Sequence, residues 1–179
     1  MQVLCVDISQ AFAQTSTVER PDRFLIEPPD CLMMHWKGIA NANPTSNRSP
    51  NEFVLLMAKP LYGLRDNPLM WFVSLCTCLR KFGYRQCRMD ICMFVFVLNE
   101  VPDTFILSYV DDLMVCYCDN DASDRFLIAI RSFNIGEPEF LASESEIQFL
   151  GLDIRREKDL TISLSRKNIC AQSERDPKY

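Results

Sequence analysis

Short apolar runs bounded by polar or turn-forming residues recur along the chain and predict strands. Five such runs stand alone, at residues 3–8, 23–27, 52–57, 91–98 and 147–154. Residues 104–110 and 113–118 are two β-rich runs separated only by Asp111 and Asp112, which is hairpin spacing. Residues 160–164, after a turn at 157–159, predict a returning hairpin arm. A further turn is predicted at Pro102-Asp103.

Apolar residues at helical spacing predict a helix between Asp66 and Gly83. Asp66-Asn67-Pro68 supplies a capping side chain and an early proline, and Gly83 supplies the stop. Asp121 or Ser123 caps a second helix that runs to about Phe133. The order of elements predicts an α+β fold, with an antiparallel sheet and helices packed on one face.

The composition is that of a globular protein, with 48% hydrophobic and 24% charged residues and a net charge of -5. No apolar run reaches the roughly 18 residues of a membrane span, and the N-terminus lacks a secretory pattern, so we expect an intracellular protein of the cytoplasm or nucleus without a membrane partner. The nine cysteines form no Cys-x-x-Cys pair and accompany a single histidine. This favours buried, reduced thiols over zinc or a disulfide framework.

Acidic residues are concentrated in one half of the chain. Residues 101–160 carry five basic and thirteen acidic groups, against five and three in residues 61–100. Such a bias is typical of a solvated face, but it also suits a metal site.

Three acids, Asp7, Asp111 and Asp112, end apolar strands. Turn chemistry alone explains Asp111-Asp112, because Asp tolerates the backbone of a tight hairpin. If the strand of Asp7 lies beside that hairpin, three carboxylates converge and require a cation. Oxygen ligands without histidine favour Mg²⁺ or Mn²⁺. Two such ions roughly 3.5–4 Å apart support in-line phosphoryl transfer, as in a polymerase palm.

Four segments resemble, in order, the conserved boxes of copia-type reverse transcriptases. Tyr109-Val110-Asp111-Asp112 resembles the Tyr-x-Asp-Asp box, and residues 6–12 resemble the segment with the first catalytic aspartate. Residues 61–68 with Trp71 are similar to the Leu-Tyr-Gly-Leu-Lys-Gln-Ala-Pro-x-x-Trp segment. Residues 149–154 and 160–165 resemble the Phe-Leu-Gly hairpin and the Leu-Ser-Gln segment. We therefore identify a resemblance to the reverse transcriptase domain of a Pol polyprotein.

The resemblance implies a role for each matching residue. Asp7, Asp111 and Asp112 match the catalytic carboxylates that bind two Mg²⁺ or Mn²⁺ ions. The residues that match nucleotide-binding positions are Ala11, Phe12, Tyr62, Gly63 and Arg65. Phe12 matches the aromatic ring under the nucleotide sugar, where it would clash with a 2′-hydroxyl; its alternative role is a core phenylalanine. The residues that match primer-contacting positions are Tyr109, Phe149, Leu150 and Gly151.

The resemblance also implies a partial reverse transcriptase domain over residues 1–179. Residues 1–12 match the first palm strand, 13–59 a fingers-like insertion, 60–155 the palm, and 156–179 the start of a connection toward the thumb. The thumb itself and an upstream fingers segment are expected to be absent. The implied partners are an RNA or DNA template with its primer, deoxynucleoside triphosphates, and the remaining Pol domains: integrase, fingers, thumb and ribonuclease H.

The resemblance implies the activity of an RNA-directed DNA polymerase, but the sequence departs from the family pattern in several places. Asp66-Asn67 replaces the usual Gln-Ala, and no lysine lies between Arg131 and Asp153 to protonate the leaving pyrophosphate. Arg80, Lys81, Arg85 and Arg88, interleaved with Phe82 and Tyr84, form a basic patch that either tracks a duplex backbone or is a solvated helix end. The alternatives are a decayed, non-catalytic retroelement remnant with weak nucleic-acid binding, and an unrelated α+β interaction domain.

Overall fold

The computed structural model describes residues 1–15 and 63–166, together with the backbone of residues 25–26 and 55–56. Tyr62, most of the predicted fingers-like insertion at 13–59, and residues 167–179 of the predicted connection lie outside the described residues.

The described strands form three antiparallel sheets. Six of them make a sheet in the order β4-β5-β6-β7-β1-β8, three make a sheet in the order β11-β10-β9, and β2 pairs with β3. The strands are β1 (Gln2–Asp7), β2 (Leu25–Ile26), β3 (Leu55–Leu56), β4 (Arg85–Gln86), β5 (Met93–Leu98), β6 (Val101–Tyr109), β7 (Asp112–Tyr117), β8 (Glu139–Phe140), β9 (Glu146–Phe149), β10 (Leu152–Arg156) and β11 (Ile162–Ser165).

Two α-helices accompany the sheets in the described part of the chain, α1 (Asn67–Lys81) and α2 (Asn120–Ile130), and a 3-10 turn spans Ala11–Gln14. Helix α1 has the predicted early proline and basic last turn, but the side chain of Asp66 makes no capping hydrogen bond. Helix α2 is capped by Asp119, whose carboxylate accepts from Ala122 N–H at 3.0 Å. The prediction of Asp121 or Ser123 as the cap was wrong, because both lie within the first turn.

The helices pack on one face of the six-stranded sheet, as predicted. Trp71, Leu75, Leu79 and Phe126 share a buried cluster with sheet residues such as Leu4 and Leu113. On the opposite face, the sheet of β9–β11 covers Val3 and Cys5 with Ile147, Phe149 and Ile154. The fold is thus α+β, and strands β9–β11 form a separate second layer, whereas the sequence predicted a single sheet.

Two predicted boundaries were wrong. Residues 147–154 are not one strand but β9 and β10, which reverse direction at Leu150-Gly151, where both residues have positive φ (51° and 74°). Pro102-Asp103 is not a turn but part of β6, since the chain reverses at Asn99-Glu100. Pro102 is accommodated beside the register shift at Phe96/Val97, a place where a strand tolerates the missing N–H.

Helices long and apolar enough to cross a lipid bilayer do not occur among the described residues.

Candidate active site

The hairpin of β6 and β7 carries the two neighbouring acids of the candidate site. Tyr109 pairs with Asp112, so Val110 and Asp111 form the two-residue turn and Asp112 is the first residue of β7. The prediction that Asp111-Asp112 connect the strands was therefore wrong by one residue. Val110 adopts φ 55°, a left-handed conformation that costs a β-branched residue about 1–3 kcal/mol.

Asp7 and Asp112 lie directly opposite each other on the neighbouring strands β1 and β7. Ile8 N–H donates to the carbonyl of Asp111 at 2.9 Å, just beyond this pair. Asp7 and Asp112 are thus a non-hydrogen-bonded pair, the kind whose Cα atoms lie about 4.5 Å apart with adjacent side chains. The prediction that the strand of Asp7 neighbours the hairpin is confirmed.

The side chains of Asp7 and Asp112 open into a cleft of about 130 Å³ on the face of the sheet away from the helices. Alternation along β1 and β7 places them on the same face as Cys5 and Met114, which pack toward β9 and β10. The other polar residues that line the cleft are Glu137, Glu139 and Gln148. Asp111 lies at the hairpin tip and does not line this cleft, so two of the three acids share it.

The three carboxylates interact electrostatically. The pKa of Asp112 is raised above its ordinary value by partial burial, then by the charge of Asp111, then by that of Asp7. Their oxygen donors suit Mg²⁺ or Mn²⁺. Within residues 1–15 and 63–166, however, no three acidic, cysteine or histidine side chains are already gathered closely enough to hold a metal ion. Carboxylate oxygens are suitable ligands for Mg²⁺ or Mn²⁺, but repulsion between the three negative charges opposes their close approach in the absence of a cation.

Cys5 lies in the same cleft but is a poor metal ligand. Burial, followed by the charges of Glu139, Cys116 and Asp112, raises the pKa of its thiol to about 12. With this raised pKa, the Cys5 thiol stays protonated at neutral pH. Because only the thiolate coordinates metal well, the oxygen atoms of the acids remain as the ligands of this site.

Glu137 and Glu139, which were not predicted as site residues, extend the acidic surface on the other side of β1. Strand β8 pairs with β1 so that Glu139 lies opposite Cys5, and Gly136 N–H donates to the carbonyl of Asp7 at 2.8 Å. The alternation of Glu137 and Glu139 around Pro138 was the available signal. A pairing of only two residues is too short to predict from a periodic pattern.

Gln14 fixes the segment before Glu137 to the turn that follows β1. Its side-chain amide donates to the carbonyls of Ser9 and of Asn134, the latter at 2.9 Å, and its carbonyl oxygen accepts from Asn134 N–H at 2.5 Å. Ile8 and Ile135 form a further bridge. These bonds hold the backbone on either side of Asp7 in place.

The described residues that match nucleotide-binding positions do not line the cleft; they are Ala11, Phe12, Gly63 and Arg65. Ala11 is buried and Phe12 is packed against the core on the helix side of the sheet. Gly63, with φ 94°, and the exposed Arg65 precede helix α1. The packing of Phe12 matches its role as a core residue and leaves its role at the sugar a prediction.

Of the residues that match primer-contacting positions, one lines the cleft and the others lie on the two hairpins that contribute to its lining. Tyr109 pairs with Asp112 and is 59% exposed, while Phe149 lines the cleft itself. Leu150 and Gly151 form the turn between β9 and β10, so the predicted Phe-Leu-Gly hairpin is present.

The basic patch of Arg80, Lys81, Arg85 and Arg88 is distant from the acids. Arg85 lies on β4, the far edge strand, four strands from β1. At the usual spacing of neighbouring strands, this corresponds to about 19 Å. Arg80 donates to Gln86 Oε1 at 2.7 Å, which secures the end of α1 to this edge. Arg80 and Arg85 therefore lie at an edge of the sheet remote from Asp7.

Comparison with known proteins supports the resemblance described from the sequence. The chain is 24% identical over 152 residues to the retrovirus-related Pol polyproteins from transposons RE1 and RE2 of Arabidopsis thaliana. The match covers 84% of this chain but 9% of each relative, so the chain spans a small part of their length. No family model matches the chain. Over these 152 residues, the chain is therefore similar to a segment of two retrotransposon Pol polyproteins.

Proposed function

We propose that the chain is the catalytic palm of an RNA-directed DNA polymerase, which adds a deoxynucleotide to the 3′-hydroxyl of a primer paired with a template. The observation that carries the proposal is the direct pairing of Asp7 with Asp112. The pair lies where two separate segments resemble the reverse transcriptase boxes. The similarity to Pol polyproteins supports the same class of protein.

In this proposal, Asp7, Asp111 and Asp112 hold two Mg²⁺ or Mn²⁺ ions through carboxylate oxygens. When bound, such ions neutralise charge on the attacking and leaving oxygens of phosphoryl transfer. The backbone of the chain fixes the positions of these carboxylates. The bonds from Gly136 N–H to Asp7 and from Ile8 N–H to Asp111 fix both backbones, so the carboxylates meet the ions with few side-chain torsions left to order.

The nucleotide and primer would approach from the exposed end of the hairpin. The primer would contact Tyr109, Phe149, Leu150 and Gly151, which lie on the two hairpins that contribute residues to the cleft. Ala11, Phe12, Tyr62, Gly63 and Arg65 would contact the deoxynucleoside triphosphate. The template-primer duplex and the remaining Pol domains, which span most of the length of the relatives, would complete the binding surface.

A second candidate is a non-catalytic remnant of the same kind of element. It is favoured by the cleft lining, which among the described residues includes four carboxylates and neither lysine nor arginine. A triphosphate needs cationic partners, and the basic patch lies too far away to provide them. In this case the palm would fold without polymerising.

Metal binding tests the proposal directly. Titration with Mn²⁺, followed by the paramagnetic resonance signal of the free ion, gives the affinity and the number of sites. We expect saturable binding and a rise in melting temperature with Mg²⁺ or Mn²⁺, because a ligand that binds only the folded state stabilises it. Asp111→Asn should weaken both effects while leaving the metal-free fold intact.

The matched control is Asp124→Asn, an exposed acid on α2 outside the cleft. It should bind Mn²⁺ as the native chain does. If Asp111→Asn and Asp124→Asn respond to metal equally, the hairpin acids are turn formers only and the polymerase proposal fails.

A further inference from the structure

The two-residue turn between β6 and β7 is held from both sides by other elements. The indole N–H of Trp71 on α1 donates to the carbonyl of Val110 at 2.5 Å. On the other side, Ile8 N–H donates to the carbonyl of Asp111 at 2.9 Å. Each carbonyl of the turn therefore has a fixed partner outside the hairpin.

The conformation of the turn needs such support. Val110 has φ 55°, and a β-branched side chain strongly disfavours this left-handed region. Its side chain is 40% exposed, so burial does little to hold it. An unrestrained turn would relax toward a conformation with negative φ, which would redirect the next peptide and the carboxylate of Asp111.

Trp71 is well placed to restrain the turn. It is 1% exposed, and its ring meets Phe133 edge to face, with centroids 5.1 Å apart and planes at 70°. The N–H is therefore presented from a fixed ring, and its position follows that of helix α1. A contact of this kind does more than fill the core, because it fixes one atom of a strained turn.

We infer that Trp71 is a positioning residue for the carboxylate site: its N–H holds Val110 in the left-handed conformation and so fixes the backbone that carries Asp111 next to Asp112. The inference deepens the proposed function, because its test by Mn²⁺ affinity requires that the carboxylates bind metal. It also predicts a local effect on the turn that does not depend on metal.

The test compares Trp71→Phe, which keeps an aromatic ring but removes the donor, with Phe133→Leu, which disturbs the ring contact but keeps the donor. In Trp71→Phe we expect Mn²⁺ affinity to fall about 10-fold or more, as for other residues that orient metal ligands. Phe133→Leu should lower it much less, even where it destabilises the fold as strongly. Val110→Asn, added to Trp71→Phe, should restore part of the affinity because Asn adopts positive φ more readily.

Amide hydrogen exchange gives the metal-free readout. The amide of Ile8 is bonded to the turn, whereas that of Leu141 is bonded to Val3 O at 2.9 Å, farther along β1. Trp71→Phe should accelerate exchange at Ile8 relative to Leu141, and Phe133→Leu should not. Equal changes at both amides, or equal Mn²⁺ affinities in the two variants, would overturn the inference. Failure of the native chain to bind Mn²⁺ while Ile8 still responds would overturn the proposed function alone.

Discussion

Asp7 and Asp112 face each other across two adjacent antiparallel strands, on the face of the sheet that the helices leave uncovered. Two carboxylates in this position repel each other in the absence of a cation. The same arrangement that would bind metal therefore reduces the stability of the metal-free fold, and this opposition can be measured.

The stability of the metal-free chain should depend on pH through Asp112. Its pKa is raised above the ordinary 3.8 in the folded state, by burial first and by Asp111 and Asp7 next. Between the ordinary and the raised value, the folded state binds more protons than the unfolded state, so the free energy of unfolding falls as pH rises. At pH values above the raised pKa of Asp112, the free energy of unfolding has lost the whole of this contribution.

Asp112→Asn should remove this component. Urea denaturation of both chains from about pH 3.5 to pH 7 measures it. We expect the variant to gain stability relative to the native chain as pH rises through this window. A constant difference across the window would contradict a raised pKa of Asp112 in the folded state.

The isolated 179-residue chain should extend a primer poorly, even if its acids bind metal. A duplex and a triphosphate require cations, and Arg85 of the basic patch lies three strands from the strand of Asp112 and four from that of Asp7, or about 14–19 Å. Template-primer extension with Mg²⁺ and deoxynucleotides should compare this chain with one lengthened in both directions. We expect product only from the longer chain, and none after Asp111→Asn.

Robust extension by the 179-residue chain would contradict this prediction. If neither chain extends a primer while both bind metal, the non-catalytic remnant becomes the better hypothesis.

The ion pair of Asp103 and Arg125 should contribute strongly to stability. Asp103 is 8% exposed; Arg125 Nη2 lies 2.7 Å from its Oδ2, and Thr104 Oγ1 donates to the same oxygen at 3.0 Å. The guanidinium also lies 4.6 Å from the ring centroid of Phe96. Asp103→Asn leaves this cation without its carboxylate and should lower the free energy of unfolding by about 3 kcal/mol.

Glu144→Gln serves as the control for Asp103→Asn. Glu144 pairs with Lys158 at 3.3 Å, but both side chains are more than half exposed. Its loss should cost less than about 1 kcal/mol in the same denaturation experiment. Equal costs for the two variants would show that burial does not govern these pairs.

Gly83, which ends helix α1, should not tolerate a side chain. Its φ is 86°, and an added Cβ would lie 3.2 Å from Cε2 of Phe96. Gly83→Ala should therefore destabilise the fold by about 1–2 kcal/mol. Gly136→Ala is the matched control, since the nearest atom to its Cβ would be Asp7 O at 3.6 Å. Thermal unfolding should show a change within about 0.5 kcal/mol for the control.

The features predictable from the sequence were those fixed by local pattern. Apolar periodicity and Pro68 gave helix α1, and the two β-rich runs around Asp111 gave the hairpin. The pairing of Asp7 with this hairpin is a long-range contact, predicted because three acids at the ends of apolar strands require a common cation.

The features that were missed depend on tertiary contacts. Strand β8 has only two residues and exists because the backbone of β1 offers it hydrogen bonds. The left-handed Val110 breaks the preference of a β-branched residue, and its support comes from Trp71, 39 residues earlier in the chain. Neither contact leaves a periodic signal in the sequence.

The place of β1 in the sheet constrains how the chain folds. This first strand pairs on one side with β7 and on the other with β8, so its partners are more than 100 residues away. During synthesis, Val3, Leu4, Cys5 and Val6 emerge more than 100 residues before the strands that pair with them. Such non-local pairing slows folding and leaves an apolar strand available to other chains. We therefore expect refolding yield to fall steeply with protein concentration, with β1 as the segment through which the chains associate.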